Sequence, residues 1–344
     1  MQKKFPAILS DINGVLLKNK LVINSRIKQA VQDLRQPRLN SSHAKYQIPF
    51  MCITNEFYAD NKLVADMINS QFELKKEFQL DQRHVALNFS PLLRYKDFFQ
   101  NRQILFIGDQ SRQDFQKIAD QLQIKSFLTQ NDYLNLKQEY SSNKLYEEEI
   151  NFNKSIEVIL LFSSPQYWEV ALGIFDQIRQ SIGYRQAQLF QTPSFIAMHN
   201  DFVELNEQNV FTAPRINMGV FNEIFKKLHS KLYHQDAQIN MMGKPERESF
   251  EYSRGVLRKQ IIESIEKIEQ SEDLISNYYM IGDDPYSDIL GANNYGWNSI
   301  LVKTGVFQGK ENHSVYPAKY VVDDFYEAIK LIEQLEGIKI LKDK

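Results

Sequence analysis

The sequence predicts an α/β protein of two domains, in which a parallel-sheet core is divided into two stretches of chain with a second domain inserted between them. Three observations carry this expectation. Apolar runs alternate with amphipathic helical stretches near both ends of the chain, four of those runs end in polar side chains, and a middle region with its own alternation separates them. A length of 344 residues also suits two domains of roughly 100 to 200 residues each.

The first run, Ala7 to Asp11, is apolar until its final carboxylate and is followed by the turn-forming pair Asn13-Gly14, so it reads as a buried strand presenting Asp11 at its tip. Ser25 to Leu34 carries Ile27, Ala30, Val31 and Leu34 at helical spacing, with Ser25 as the N-cap. A second strand, Ile48 to Ile53, ends at Thr54-Asn55, and a helix follows from near Tyr58. Two strand-helix units in succession predict a parallel sheet, whose ligands sit beyond the carboxyl ends of its strands.

The middle region has strand candidates at Ile104–Ile107, Ile156–Phe162 and Gln188–Phe190, with helices over Arg112–Leu122 and Gln166–Arg179. Residues 138–153 are polar and acidic and read as a surface loop. Alternation resumes with a helix bearing Val220, Ile224 and Leu228 on one face. A strand Ile239–Met242 leads into Gly243-Lys244-Pro245, where Pro245 suits the first turn of a helix running from Glu246 to about Glu269. The strand Tyr278–Ile281 enters Gly282-Asp283-Asp284, and strands at Ser299–Val302 and Lys319–Val322 precede a closing helix, Phe325–Leu335. The expected division is a core of residues 1–84 and 212–344 with an insert over 85–211.

Composition excludes several classes. Lys plus Arg is 41 against 43 for Asp plus Glu, a net charge of −2, without the basic excess of a nucleic-acid partner. No apolar run approaches the ~20 residues of a membrane span. The lone cysteine, Cys52, rules out an intrachain disulfide and a cysteine-cluster metal site, and its apolar surroundings mark it as a core residue. The six histidines show no paired spacing for zinc, and His199 beside Asn200-Asp201 is the one candidate to face a substrate. Gly108-Asp109 resembles a functional strand end but reads as a turn. The N-terminus passes at once into the first strand, which suggests a cytoplasmic protein; oligomeric state is unreadable.

Together, Asp11, Thr54-Asn55, Lys244, and Asp283 with Asp288 supply what phosphoryl transfer needs: a nucleophile, positive charge for the phosphoryl oxygens, and hydrogen-bond donors. Asp11 can attack phosphorus to give an aspartyl-phosphate. Asp11 and Asp283 can share Mg²⁺, with Asp288 orienting that shell, while Thr54 and Asn55 donate to the phosphoryl group and Lys244 places a charge on it.

The segments Asp11-Ile12-Asn13-Gly14-Val15, Ile53-Thr54-Asn55, Gly243-Lys244-Pro245 and Gly282 to Ile289 resemble motifs one to four of the haloacid dehalogenase-like (HAD) hydrolases. A Gly-Lys-Pro third motif and a large insert before it resemble subclass IIA. Tyr279–Val306 is similar to the eukaryotic subgroup related to the cat-eye-syndrome-critical-region protein, with looser likeness at His199–Phe202 and Pro214–Phe221. The resemblance implies a Rossmann-like HAD core with a C2-type α/β cap closing on the catalytic edge, Mg²⁺ as cofactor, a small phosphorylated metabolite as partner, and a metal set of Asp11, Asp283, Asp288 and the backbone carbonyl of residue 13. It also raises a mitochondrial location as the alternative.

The pattern breaks at one position. Where the family carries a second Asp as general acid and base, this chain has Asn13, and an amide cannot exchange a proton near neutral pH. Three expectations follow: a slow Mg²⁺-dependent phosphomonoesterase working through Asp11, a weak or inactive relative that binds a phosphate ligand or a protein partner, or a phosphotransferase-like or other HAD chemistry. Asn13-Gly14 is also a pair prone to succinimide formation, by which deamidation would restore a carboxylate.

Overall fold

The computed structural model describes residues 4–39, 45–143, 145, 148, 152–153, 155–181, 193–204, 215–264 and 274–342. The chain forms two compact units, Met1–Ser90 with Lys244–Lys344, and Pro91–Gly243.

The first unit is built on a six-stranded, wholly parallel sheet. Across the sheet its strands run Tyr320–Val322, Asn298–Val302, Ile275–Gly282, Phe5–Asp11, Phe50–Ile53 and Val85–Ala86. Numbered along this unit the order is 3-2-1-4-5-6, the doubly wound arrangement, with its reversal between the strands that end in Asp11 and Gly282. The strand Phe5–Asp11 is buried at every residue, and its neighbour Ile275–Gly282 is buried over Tyr279–Gly282, because both faces are covered there.

Helix Ser25–Leu34 buries Ile27, Ala30, Val31 and Leu34, as the spacing predicts, but its N-cap is Asn24, whose side chain accepts the Ile27 amide at 2.9 Å. Asp60 caps the next helix, Asn61–Gln71, in the same way. Helices Arg247–Ser264 and Phe325–Glu336 complete the unit as described. Pro245 precedes the first of these by two residues, after a cis Lys244-Pro245 bond, and is not in its first turn. The expected extension of that helix to Glu269 lies outside the described residues.

The second unit has its own five-stranded parallel sheet, in the order Ile239–Met241, Ser194–Ala197, Ile156–Leu161, Gln103–Ile107, Phe127–Thr129. Helices Arg112–Leu122, Gln130–Ser142, Trp168–Ser181 and Met218–Tyr233 accompany it.

The boundaries differ from 84/85 and 211/212. Val85–Ala86 pairs with Cys52–Ile53 and so extends the core sheet, whereas Ile239–Met241 pairs with Phe195–Ala197 and belongs to the insert. Both strands are too short for periodicity to reveal their sheet, and the second runs directly into Gly243-Lys244, which made it look like a core strand. The acidic loop expected over 138–153 begins as helix, since Gln130–Ser142 runs into it from a Thr129 capping box, and residues 144, 146–147 and 149–151 lie outside the described residues. The proposed strand Gln188–Phe190, and Pro214, lie outside the described residues. Among the described residues, no helix is long and apolar enough to cross a membrane.

Candidate active site

Register explains how segments far apart in sequence meet. Ser10 lies opposite Cys52 on one side and Ile281 on the other, and Asp11 lies opposite Ile53, so Asp11, Thr54 and Asp283 leave adjacent strands within two residues of the same level. Carboxylate oxygens of Asp11, Asp283 and Asp288 lie within 4.8 Å of one another, all three buried. Lys244 Nζ sits 2.6 Å from Asp11 Oδ1 and 2.6 Å from Asp288 Oδ1.

Three carboxylates against one ammonium leave this pocket at −3 + 1 = −2 when all are ionised. Burial, and then the neighbouring carboxylates, push Asp11 well above the usual carboxylate range despite Lys244. Burial and Asp288 likewise push Asp283 up to about 7. Burial alone would lower Lys244, but the ion pairs to Asp11 and Asp288 outweigh it and hold the ammonium charged. The donor set is all oxygen and lacks about two positive charges, the deficit that a hard divalent cation such as Mg²⁺ would fill.

Each carboxylate is aimed by its surroundings. Asp288 Oδ2 accepts the backbone amides of Asp283 and Asp284, both at 3.1 Å, which closes the wide helical turn Pro285–Ile289 under the site. Asp283 Oδ2 accepts the Val306 amide at 2.6 Å. Gly14, at φ +79°, and Gly305 press against Asp283 so closely that a Cβ on either would overlap its carboxylate. The Thr304 hydroxyl also donates to the Gly14 carbonyl, tying the two loops together.

Thr54 is 2% exposed and its Oγ1 accepts the Glu56 amide at 3.0 Å, so its own O–H proton remains a donor. Asn55, expected to bind phosphate, has its side chain turned to another task. Its Oδ1 accepts the Lys244 amide and its Nδ2 donates to the Lys244 carbonyl, both at 2.9 Å. Asn88 in turn donates to the Asn55 carbonyl at 3.1 Å.

Asn13 places its Nδ2 in the interior with no hydrogen-bond partner among the described residues. The Gly14 amide after it donates to Leu17 O at 2.7 Å. Val306, Gly305, Asn88 and Thr304 were not singled out from the sequence. They contribute backbone groups, small size or support, and no residue-type signal marks such roles.

Other candidates fall outside this cluster. His199, in the inserted unit, is buried with Nδ1 3.3 Å from Asp201 Oδ2. Asp109 is exposed and accepts from Ser163 Oγ at 2.7 Å, as a turn residue would.

Residues 241–328 match the family described as HAD-hydrolase-like. The chain is 24% identical over 352 aligned positions, 94% of each chain, to a mitochondrial hydrolase of Saccharomyces cerevisiae. It is 30% identical over 188 positions to a cardiolipin synthase (CMP-forming)/mitochondrial hydrolase fusion protein of Schizosaccharomyces pombe, covering 53% of this chain and only 30% of the fusion. Among solved structures, a hypothetical protein of Pyrococcus horikoshii superposes with a TM-score of 0.65 at 16% identity, over 95% of this chain and all of that one. The glycerol phosphate phosphatase of Mycobacterium tuberculosis in complex with magnesium superposes with a TM-score of 0.57 at 15% identity, over 94% and 77%. At such identities the superpositions establish the fold: a parallel-sheet Rossmann-like α/β core with a second α/β domain.

Proposed function

We infer, for a chain that belongs to the HAD-like hydrolases, a Mg²⁺-dependent phosphatase of subclass IIA that hydrolyses a small phosphorylated metabolite through an aspartyl-phosphate on Asp11. The observation that carries this reading is the buried cluster in which Lys244 Nζ lies 2.6 Å from Asp11 while three carboxylates converge within 4.8 Å.

Asp11 is the nucleophile. Lys244 and the Thr54 hydroxyl bind the phosphoryl oxygens, and Asn55 positions Lys244 through its backbone. Asp11, Asp283 and the carbonyl of Asn13 would hold the cation, with Asp288 orienting Asp283 and Lys244. When bound, the cation supplies charge neutralisation that lets two anions meet. The inserted α/β unit is of the C2 cap type. The names of the two fungal relatives favour a mitochondrial over a cytoplasmic location.

A second reading rests on Asn13. Loss of proton transfer at that position costs roughly 10² to 10⁴ in rate, which would leave a weak or inactive relative that binds a phosphate ligand or a protein partner at the same site.

The deciding experiment measures initial rates on an aryl phosphate and a panel of small phosphomonoesters with Mg²⁺, for wild type, Asp11→Asn and Asn13→Asp. Wild-type turnover abolished by Asp11→Asn supports the phosphatase. Activity confined to Asn13→Asp supports the binding protein.

A further inference from the structure

The cluster contains a nucleophile and electrostatic support but no group among those named that can hand a proton to a departing oxygen. Lys244 is held charged by Asp11 and Asp288, each 2.6 Å away. Asp288 spends its second oxygen on two backbone amides, Asp283 accepts the Val306 amide through Oδ2 and, like Asp11, would be ionised once it holds the cation, and Thr54 and Asn13 do not exchange protons near neutrality. Two residues beyond the nucleophile, the Asn13 Nδ2 is a buried donor with no partner among the described residues. Such a group carries a desolvation cost that a bound oxygen would relieve.

Resting on the Asp11 phosphatase reading, we propose that this site is built for phosphates whose leaving group departs without being protonated, acyl phosphates above all, with the Asn13 amide donating a hydrogen bond to the departing oxygen. In the first step an Asp11 oxygen forms a bond to phosphorus. The bond from phosphorus to the leaving oxygen breaks, and its electron pair departs with that oxygen as an anion. In the second step water oxygen bonds to phosphorus, the Asp11–phosphorus bond breaks back to a carboxylate, and the water proton ends on the released phosphate.

Leaving-group basicity sets how much this arrangement matters. A carboxylate, with a conjugate acid of pKa ~4, departs unaided, and a phenolate at ~10 departs with help from a hydrogen bond. An alkoxide, whose conjugate acid resembles water at ~16, does not. Because water too lacks a base in the second step, the aspartyl-phosphate outlives its counterpart in a protein with a carboxylate at residue 13.

The test is kcat/KM for acetyl phosphate, a series of substituted phenyl phosphates and glycerol phosphate, with acid-quench trapping of the phosphoprotein. Peptide mass spectrometry first verifies intact Asn13. The expected result is a steep fall with leaving-group pKa, glycerol phosphate slower than acetyl phosphate by at least about 10²-fold, and an initial burst of leaving group. Asn13→Asp, nearly isosteric and checked for folding by its thermal melt, should raise the glycerol-to-acetyl ratio and lower the trapped fraction. A flat dependence on leaving group, with turnover still abolished by Asp11→Asn, overturns this inference and leaves the phosphatase intact. Asp11-dependent turnover of glycerol phosphate without turnover of acetyl phosphate likewise overturns this inference alone, and no Asp11-dependent turnover of any of these phosphates overturns both.

Discussion

Asn55 grips the backbone of Lys244 from both sides, its Oδ1 on the amide and its Nδ2 on the carbonyl, each at 2.9 Å and all buried. The two residues are 189 positions apart. The grip fixes the lysine whose ammonium bridges Asp11 and Asp288. Asn55→Ala should therefore act twice. It strands two buried backbone groups, costing about 1–3 kcal/mol, and it loosens Lys244. Chemical denaturation should show the loss, and kcat should fall more than KM rises. Unchanged kinetics would show that Lys244 is positioned by other contacts.

Lys244→Met removes the only positive charge among the named cluster residues and leaves Asp11 and Asp288 facing one another. Breaking a buried ion pair from one side costs about 3–5 kcal/mol. The melting temperature in the absence of divalent cations should drop by several degrees, and Asp288→Asn in the same background should recover part of it by removing one orphaned charge. A melting temperature equal to wild type would mean that the carboxylates are neutral or solvated in the protein.

Cation and pH dependence follow from Asp283, which is held at about 7 in the folded chain against an ordinary value near 4. A raised carboxyl binds its proton more tightly folded than unfolded. Between those two values the folded state carries the extra proton, so metal-free stability declines as pH rises from about 4 to about 7, then levels off. Mg²⁺ binds the ionised site, so its stabilisation should grow over the same interval. Calorimetry with EDTA and with excess Mg²⁺ at several pH values measures both curves. A Mg²⁺ effect independent of pH, or one surviving Asp283→Asn, would place the cation elsewhere.

Gly14→Ala tests the packing around Asp283. At φ +79° any other residue is strained by about 1–2 kcal/mol, and the new Cβ meets the Asp283 carboxylate. Activity should fall by far more than that strain alone would explain, because Asp283 must move. The quantity to compare is kcat/KM against the change in unfolding free energy, and a purely proportional loss would argue against a displaced carboxylate.

Deamidation at Asn13-Gly14 should be slow in the folded protein. Succinimide closure needs the Gly14 nitrogen to reach the Asn13 side chain, and that amide is engaged with Leu17 O at 2.7 Å. Peptide mass spectrometry after incubation should find Asn13 intact in folded samples and converted faster in denaturant. Equal rates would show that the loop opens readily.

Much of the site was legible because its chemistry is written in residue type at strand ends. Asp11, Thr54, Lys244, Asp283 and Asp288 each close an apolar run or follow it within a few residues; the core sheet aligns Asp11, Thr54 and Asp283, and Asn55 holds Lys244 beside them. Asn55 shows the limit of that reading. An amide beside a strand-end threonine suggests a phosphate ligand, and only the fold reveals that Lys244 occupies both its hydrogen-bonding atoms.

Helix faces were equally readable, since a 3.6-residue period records which side is buried, as for Ile27, Ala30, Val31 and Leu34. Strand membership was not. Val85–Ala86 and Ile239–Met241 are two- and three-residue strands whose sheet is chosen by backbone pairing with Ile53 and Phe195, and backbone groups are the same in every residue. By itself, then, the sequence determined the α/β class, the helix faces and the identities of the charged groups. Tertiary structure decided the domain boundaries, the pairing of Lys244 with two carboxylates, and the orphaned Asn13 amide, because each depends on distances between segments that no local pattern encodes.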